Sequence, residues 1–312
     1  KYFKIMNIAD RYVYTKGPIA IFEKNNFDLA HAIYDGKTAL RAGDLAHNAE
    51  LPFLLSFHGG FDTNAKIFDP RYTERTREIA EKANAVTVIC SADKYRLRKI
   101  GIQRPVEIVP VPIDFSLIPN ANGNSSFNIV AVGRLIPKKG IDVALKALKF
   151  LPKEYFLTVV GDGELRNALK ALSESLGVEN RVTWKGLLPL NKTLEVMSSS
   201  SVLLHPARVA SDGNAEGTPQ TILWAQAMGL PVITTPTGSI CEIVINNMTG
   251  LLVEEENPEA LANAILLFNG KSDLREDITR EAKAKIHKDH SLNRVVEKYF
   301  NIYKRIALGS ST

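Results

Sequence analysis

Short runs of apolar and β-branched residues alternate along this chain with longer stretches in which apolar residues recur every three or four positions. The short runs predict buried strands and the longer stretches predict amphipathic helices, and their alternation is typical of a parallel sheet built from βαβ units. In the first half, the pattern predicts strands at 53–57, 86–90 and 106–111, and a charged helix over 69–83 that Pro70 opens near its first turn.

A second series begins after 116–126, a segment rich in Asn, Ser, Gly and Pro that is typical of a loop or linker. Six strands are predicted here, at 127–132, 156–160, 182–184, 202–204, 232–234 and 251–253. The helices between them are predicted at 141–150, 165–176, 192–198, 219–228 and 258–268. Together these elements make a complete doubly wound domain, whereas the first half is short for one and lacks a glycine-rich first turn.

The chain of 312 residues is long enough for about two domains. We predict an N-terminal domain over 1–120 and a C-terminal domain over 121–290. The tail, 291–308, has apolar residues at helical spacing, which predicts a helix with one broad apolar face. We expect this helix to pack back on the N-terminal domain.

The composition is that of an ordinary globular protein, with 45% apolar and 23% charged residues. Cys90 and Cys241 are the two cysteines, which favours free thiols in a reducing cytoplasm. No apolar stretch approaches the roughly 20 residues that span a bilayer, and the N-terminus has no signal-peptide core. Because the sequence begins at Lys1 rather than Met, we expect that residues precede it.

The net charge of +5 and the pI of about 9.0 raise the question of an anionic partner. The basic residues are dispersed among acidic ones and no nucleic-acid-binding motif occurs, so we expect no nucleic-acid partner. Sugar nucleotides and acidic lipids are anionic partners that remain compatible with this net positive charge. A local cluster of Arg96, Arg98, Lys99 and Arg104 is either a weak membrane-docking surface or a solvated helix face.

The strongest local signal is the segment 133–140, GRLIPKKG, between a predicted strand and a predicted helix. Such a loop lies at the carboxyl edge of a parallel sheet, where fixed cations beside a helix N-terminus favour a diphosphate. Taken alone, the segment is equally compatible with a basic surface turn. The segment 161–164, GDGE, has the same placement but is a weaker signal. A dehydrogenase fingerprint is excluded, because Arg166 stands where the third glycine belongs.

A long polar loop, 205–219, follows the strand at 202–204 and leads into the next helix. Glu216 stands at the mouth of that helix, where its carboxylate either caps backbone amides or binds sugar hydroxyls. The amides of residues 217–221 are expected to face the same crevice. In the first half, His58 ends a buried strand before two glycines, a position where loops carry function.

Taken together, these segments resemble the retaining glycosyltransferase family 4, which has the two-domain GT-B fold with a cleft between two Rossmann-like domains. The resemblance runs from about Phe27 to the end and includes nine pieces in family order. They are FDLAHAIYDG, PFLLSFHGG, NAVTVICSADKYRLRKIG, VPVPID, VAVGRLIPKKG, VVGDGEL, VTWKGLL, EGTPQTILWAQAMGLPVITT and MTGLLVEEENPEALANAI. The stretch VASDGNAEGTP is similar to the bacterial subgroup that makes exopolysaccharides such as colanic acid.

The resemblance implies a role for individual residues. Arg134 and Lys139 match the residues that hold the donor diphosphate, and Glu216 matches the first carboxylate of a Glu-x7-Glu motif that contacts the donor sugar. His58 matches a histidine that faces the donor sugar across the cleft. Further donor-binding positions are implied at Gly133, Gly161, Lys185, Leu187, Gly217, Thr218 and Trp224.

Two departures from the family pattern stand out. Trp224 occupies the position of the second carboxylate, which in the family binds ribose hydroxyls, and an indole offers one N–H donor or a stacking face. The opening strand and glycine-rich loop of the family's N-terminal domain are not found, so we predict an incomplete N-terminal domain.

The resemblance therefore predicts a retaining, metal-independent hexosyltransferase without a cofactor, acting in the cytoplasm and peripheral to the cell membrane. Its donor would be a UDP-sugar rather than a GDP-sugar, and its acceptor a saccharide or a lipid-linked saccharide. Two alternatives remain open: a non-catalytic relative or partner subunit that binds sugar nucleotides, and a sugar-nucleotide epimerase of the same fold.

Overall fold

A computed structural model describes residues 5–7, 27–33, 37–58, 70–121, 127–211, 213 and 215–309 of the chain. Contacts divide it into two compact units: Lys1–Val111 with Leu292–Thr312, called the outer unit here, and Pro112–Ser291, the central unit. The boundary lies earlier than the expected position at 120. Residues 112–121 belong with the central unit because Ile113 N donates to His290 O at 2.8 Å and Ala121 N to Met228 O at 2.9 Å.

The outer unit contains a parallel sheet whose five strands follow chain order. These strands are β1 (Ile5–Asn7), β2 (Leu29–Ile33), β3 (Phe53–Phe57), β4 (Ala85–Val88) and β5 (Val106–Ile108). The helices are α1 (Lys37–Asn48), α2 (Pro70–Lys82), α3 (Ser91–Lys99) and the C-terminal α11 (Leu292–Leu308). Strand β4 ends before the predicted residue 90, because Cys90 is the N-cap of α3.

The two faces of this sheet carry different helices. Right-handed crossovers between strands in chain order place α1, α2 and α3 on one face, where Phe53, Leu55 and Phe57 meet Ile79 and Leu97. Alternate strand residues point the opposite way, and there Leu54, Ala85 and Val109 pack against Val295, Ile302 and Ile306 of α11. The C-terminal helix therefore completes the core of the outer unit.

The central unit is a doubly wound domain with a six-stranded parallel sheet in the order β11-β10-β9-β6-β7-β8. Its strands are β6 (Asn128–Val132), β7 (Phe156–Val160), β8 (Val182–Gly186), β9 (Val202–His205), β10 (Val232–Thr234) and β11 (Leu251–Leu252). Its helices are α4 (Ile141–Ala147), α5 (Arg166–Ser175), α6 (Leu190–Ser198), α7 (Gln220–Met228), α8 (Ile240–Ile243), α9 (Pro258–Gly270) and α10 (Ser272–His290).

The core of the central unit forms where alternate strand residues meet the helices. Ile129, Leu157 and Leu204 pack with residues of α4 and α9, such as Leu145 and Phe268. From β6 the chain builds outward to β8, then returns to β9 on the opposite side of β6 and builds outward to β11. This reversal between β6 and β9 is the topological switch point, where parallel α/β sheets bind their ligands.

Candidate functional site

Four loops meet at the carboxyl edge of the central sheet around the switch point. They follow β6 (133–140), β7 (161–165), β9 (206–219) and β10 (235–239), and residues 212 and 214 lie outside the described part of the chain. The first two loops are joined by backbone hydrogen bonds, with Gly133 N donating to Val160 O and Leu135 N to Asp162 O, both at 2.9 Å. The predicted segment 133–140 therefore has the expected place beside the switch point.

Gly161 lets the first two loops approach closely. Its φ is +136°, and a Cβ atom there would stand 1.9 Å from Gly133 O. Gly161 N in turn donates to Gly186 O at 2.8 Å, which connects the end of β8 to the same edge. The resemblance implies that Gly161 binds the donor, and in the structure its lack of a side chain lets the β7 loop approach the β6 loop while its amide bonds to the end of β8.

An ion pair joins the β6 loop to the β9 loop. Lys139 lies in a short 3-10 turn, Pro137–Lys139, and its Nζ is 2.9 Å from Glu216 Oε1. Glu216 is buried, and His205 at the end of β9 has its Nε2 4.0 Å from Glu216 Oε2. Lys138 Nζ donates to Ala215 O at 3.4 Å. Two opposite charges thus lie side by side at the switch point.

The electrostatics of this cluster keep the carboxylate charged and the imidazole neutral. Burial alone would raise the pKa of Glu216, but Lys139, with His205 and Lys138, leaves it below its ordinary value. Burial, reinforced by Lys139, lowers the pKa of His205 from 6.5 to about 3. Burial also lowers the pKa of Lys139, and Glu216 offsets this effect only in part.

Glu216 does not cap the helix that follows it, so the capping role that its position in the sequence allows is excluded. Helix α7 begins after Pro219 without a side-chain cap. The Glu216 carboxylate instead faces Lys139 and His205. Gly217 and Thr218, both half-buried, lead into the helix, so the first-turn amides of α7 lie next to the charged pair.

Gly238 holds the backbone of Glu216 from the other side. Ser239 N donates to Glu216 O at 3.3 Å, and the Ser239 hydroxyl donates to Gly217 O. Gly238 has a φ of +62°, and a Cβ atom there would stand 1.9 Å from Glu216 O. The β10 loop therefore fixes the position of the Glu216 backbone at the site.

We expect Gly238→Ala to destabilise the protein far more than Gly177→Ala. Both glycines have left-handed backbones, at φ +62° and +66°, but Gly177 has open space around its missing Cβ. Left-handed strain alone costs about 1 kcal/mol, and overlap with the Glu216 carbonyl should add about 2 kcal/mol. Chemical denaturation of both variants measures the difference. Equal losses of unfolding free energy in the two variants would show that the β10 loop shifts without cost to accommodate the added methyl group, and would contradict the prediction.

The other predicted donor residues differ in exposure. Arg134 is exposed and its side chain makes no hydrogen bond or ion pair with a residue that the structure describes, yet its charge contributes to lowering the pKa of Lys139. Lys185 and Leu187 are exposed at the end of β8, Leu187 with 81% of its surface accessible. Trp224 is half-buried on the second turn of α7. These residues surround the same sheet edge without contacting the charged pair.

His58 belongs to the outer unit, where its side chain contacts the C-terminal helix α11. It follows β3, and its Nε2 is 3.1 Å from the Tyr299 hydroxyl of α11. Burial lowers the pKa of His58. The expectation that His58 faces the donor sugar stays a prediction of the resemblance.

Sequence reasoning missed several residues of these sites. His205 was included in the polar loop without a role, although a histidine that directly ends a run of buried strand residues is a usable signal. Gly238 gave no signal, because its close approach to Glu216 depends on the tertiary fold. Tyr299 was counted only as part of an apolar helix face.

The basic residues that suggested membrane docking make internal contacts. Arg96 pairs with Asp93 at 3.0 Å, Arg98 donates to Ile102 O at 2.8 Å, and Arg104 lies 3.9 Å from Glu81. Within the described residues, no helix is long and apolar enough to cross a membrane. The same residues contain no group of three or more His, Cys, Asp or Glu side chains placed to hold a metal ion.

Buried His205 predicts a loss of stability in mild acid. Its pKa of about 3 in the folded protein lies below its unfolded value, so as the pH falls below about 6.5 the unfolded chain takes up the proton first. We expect the unfolding free energy to fall by about 2 kcal/mol between pH 7 and 5 from this residue. In His205→Gln this part of the fall should vanish, while His47→Gln, at an exposed histidine of α1, keeps it. Parallel pH profiles for both variants would contradict the assignment.

Fold and site together define the class: an α/β protein with a cluster of charged residues at the switch point of a doubly wound sheet, where such sheets bind their ligands. Residues 118–285 match the model of the family described as glycosyl transferases group 1. This match covers more than half of the 312 residues, and the chain belongs to that family.

Two of the similar proteins are bacterial glycosyltransferases named for amylovoran and colanic acid biosynthesis. The amylovoran biosynthesis glycosyltransferase AmsK of Erwinia amylovora is 28% identical over 222 residues, which cover 70% of this chain and 52% of the relative. The putative colanic acid biosynthesis glycosyltransferase WcaL of Escherichia coli K12 is 27% identical over 248 residues, 77% of this chain and 60% of the relative. The chain thus spans between 52% and 60% of the length of these two relatives.

Solved structures show the same fold. Anabaena HepE in complex with UDP has a TM-score of 0.79 at 19% identity, covering 92% of this chain and 82% of that one. Sucrose-phosphate synthase from Thermosynechococcus elongatus also has a TM-score of 0.79 at 19% identity, covering 95% and 77%. The fold class is accordingly GT-B, with two parallel-sheet α/β units, as the sequence predicts.

Proposed function

We propose that this chain is a retaining, metal-independent hexosyltransferase. It transfers a sugar from a nucleoside diphosphate sugar to a hydroxyl of a saccharide or lipid-linked acceptor. The observation that carries the proposal is the Lys139–Glu216 ion pair at the switch point between β6 and β9. One member of the pair suits an anionic diphosphate and the other suits sugar hydroxyls, and family membership supports this division of roles.

The cation and the neighbouring amides would stabilise the leaving group. Charge grows on the diphosphate as its bond to the sugar breaks, and fixed donors lower that barrier without reorganising. Lys139 is held in place by its turn, whereas exposed Arg134 is free to fold onto the phosphates from solvent. The uncapped first turn of α7, next to Gly217 and Thr218, adds backbone donors.

The carboxylate of Glu216 would accept hydrogen bonds from the donor sugar. Its lowered pKa keeps it an acceptor near neutral pH, and such charge-assisted bonds are stronger than neutral ones. When the diphosphate draws Lys139 toward itself, Glu216 exchanges its ion pair for the sugar hydroxyls. A buried charge is thus never left without a partner during binding.

The nucleoside would lie beside the ends of β7 and β8. Gly161, Lys185 and Leu187 surround this edge, and Trp224 offers an indole ring. We favour uridine as the base, which the UDP complex of structurally similar HepE supports. No cofactor is needed for this chemistry, since the substrate itself carries the leaving group.

The names of the relatives support a role in exopolysaccharide biosynthesis. A place in the bacterial cytoplasm stays a prediction from the sequence. Peripheral membrane contact stays a prediction of the resemblance. The cluster at 96–104 lends it little support, because all four of its basic residues make internal contacts, Lys99 with the ring of Tyr95 at 5.2 Å.

Trp224 favours a second candidate function, a non-catalytic subunit that binds sugar nucleotides. The indole on α7 cannot accept hydrogen bonds from ribose hydroxyls as a carboxylate does. This candidate predicts nucleotide binding without turnover.

Product analysis with a panel of UDP-sugars and GDP-sugars tests the proposal. We expect sugar transfer to an added saccharide, or slow donor hydrolysis without one, and a product with the anomeric configuration of the donor. Inversion at the anomeric carbon would refute retention. Conversion of the donor into an isomeric sugar nucleotide would indicate the epimerase. Binding without any turnover would favour the non-catalytic candidate.

A further inference from the structure

A row of polar side chains lies buried beneath the C-terminal helix in the outer unit. His31, Ser56 and Thr87 stand on neighbouring strands β2, β3 and β4, and each is at most 6% exposed. They share the sheet face that packs against α11, whereas the opposite face is apolar. Buried polar groups weaken a core unless their hydrogen bonds are satisfied, so this row requires an explanation.

The row forms a continuous hydrogen-bonded chain that ends on α11. His31 Nε2 is 2.7 Å from Ser56 Oγ, which is 2.6 Å from Thr87 Oγ1. The other ring nitrogen, His31 Nδ1, is 2.9 Å from the Tyr303 hydroxyl. Both nitrogens of His31 therefore have a partner, and the row ends at the Tyr303 hydroxyl of α11.

Tyr299 of α11 contacts both His31 of this row and His58. It lies one turn before Tyr303 on α11, and the two rings stack with centroids 6.0 Å apart. His31 packs against both rings, with centroids 5.5 Å from Tyr299 and 5.7 Å from Tyr303. The Tyr299 hydroxyl reaches His58 Nε2 at 3.1 Å. His58 thus shares a hydrogen bond with the hydroxyl of Tyr299, whose ring packs against both Tyr303 and His31.

The groups that face His58 from β2 and α11 are uncharged near neutral pH. Burial, with His58 nearby, lowers the pKa of His31 to about 4, and burial, with Tyr299, raises the pKa of Tyr303 to about 12. His31 and Tyr303 therefore contribute hydrogen bonds rather than charge. A neutral cluster of this kind selects an orientation and a tautomer instead of attracting a proton.

We propose that Tyr299 is a positioning residue for His58, holding its imidazole in one orientation and one tautomer at the carboxyl end of β3. The inference deepens the proposed function, on which it rests, because it gives the C-terminal helix a part in sugar transfer. Its contacts lie wholly within the outer unit. The hydroxyl of Tyr299, rather than its ring, carries the effect.

The test compares Tyr299→Phe with Tyr303→Phe in the full chain. Each variant keeps its ring and loses one hydroxyl, but only the first loses the bond to His58. We expect kcat to fall about tenfold in Tyr299→Phe, with the donor KM within about twofold, because a loosened imidazole is misplaced without affecting donor binding. Tyr303→Phe should keep kcat within about twofold and show the larger fall in thermal stability.

Nitrogen-15 spectra of labelled histidine provide a readout independent of activity. His58→Gln identifies the His58 signals among the six histidines by their disappearance. We expect a single His58 tautomer in wild type and in Tyr303→Phe, and a mixture of tautomers in Tyr299→Phe.

One tautomer of His58 in all three proteins, with an unchanged kcat in Tyr299→Phe, would overturn the inference. A mixture of tautomers in Tyr299→Phe supports it even if wild type transfers no sugar, in which case the proposed function alone fails.

Discussion

Lys139→Ala is expected to lower kcat/KM for sugar transfer at least about 100-fold. The Lys139 ammonium is the half-buried cation of the pair at the switch point, and loss of one fixed donor to a developing negative charge costs about 3 kcal/mol. Steady-state kinetics with the best donor of the panel measure the effect. The loss should lie in kcat as well as in KM, because the charge on the diphosphate grows toward the transition state.

Lys146→Ala is the matched control for this variant. Lys146 lies on the adjacent helix α4, is 45% exposed and pairs with Asp142 at 3.3 Å, so its removal deletes the same charge outside the site. We expect kcat/KM of the control within about twofold of wild type, since surface ion pairs contribute little. Similar losses in both variants would point to a general effect of positive charge and would contradict the role of Lys139.

Glu216→Gln is expected to weaken binding of the nucleotide sugar more than binding of the free nucleotide. The carboxylate contacts the sugar in the proposed complex, and a hydrogen bond to a charged group contributes about 1.5–3 kcal/mol. Affinity for the UDP-sugar should therefore fall about tenfold or more, while affinity for UDP changes less. Calorimetric titration with both ligands measures this difference.

The same substitution should alter the pH dependence of binding. Glu216 raises the pKa of Lys139 against the effect of burial, so without the carboxylate that pKa falls further. Lys139 then loses its proton at a lower pH, and UDP affinity should decline earlier as the pH rises. Glu195→Gln is the control, because that exposed carboxylate pairs with Lys192 on the surface of α6. An unchanged pH profile in Glu216→Gln would show that the two groups are not coupled.

The sequence predicted the central unit closely, because local and global signals agree there. Strands at 156–160 and 232–234 have the predicted bounds, since each is a short run of apolar and β-branched residues. Helix α10 was not predicted: its 19 residues are strongly charged, and the buried positions Ile278, Ala282 and Ile286 recur only every four residues. A search for apolar positions that recur every four residues would have predicted this helix.

In the outer unit the pattern was weaker for a physical reason. Strand β2 carries His31 among apolar residues, and the hydrogen bonds that make this burial tolerable come from Ser56 and Tyr303, far away in the sequence. The candidate site shows the same limit. Spacing located Lys139 and Glu216 in separate loops, but their ion pair depends on β6 and β9 being neighbours in the sheet.

The central claim is that the switch point of the central unit binds a nucleoside diphosphate. Calorimetric titration with UDP and then GDP tests this claim most directly. Wild type and Lys146→Ala should bind one nucleotide with a dissociation constant on the order of micromolar, and Lys139→Ala should bind it at least about tenfold more weakly. Absence of binding by wild type, or equal binding by Lys139→Ala, would contradict the account.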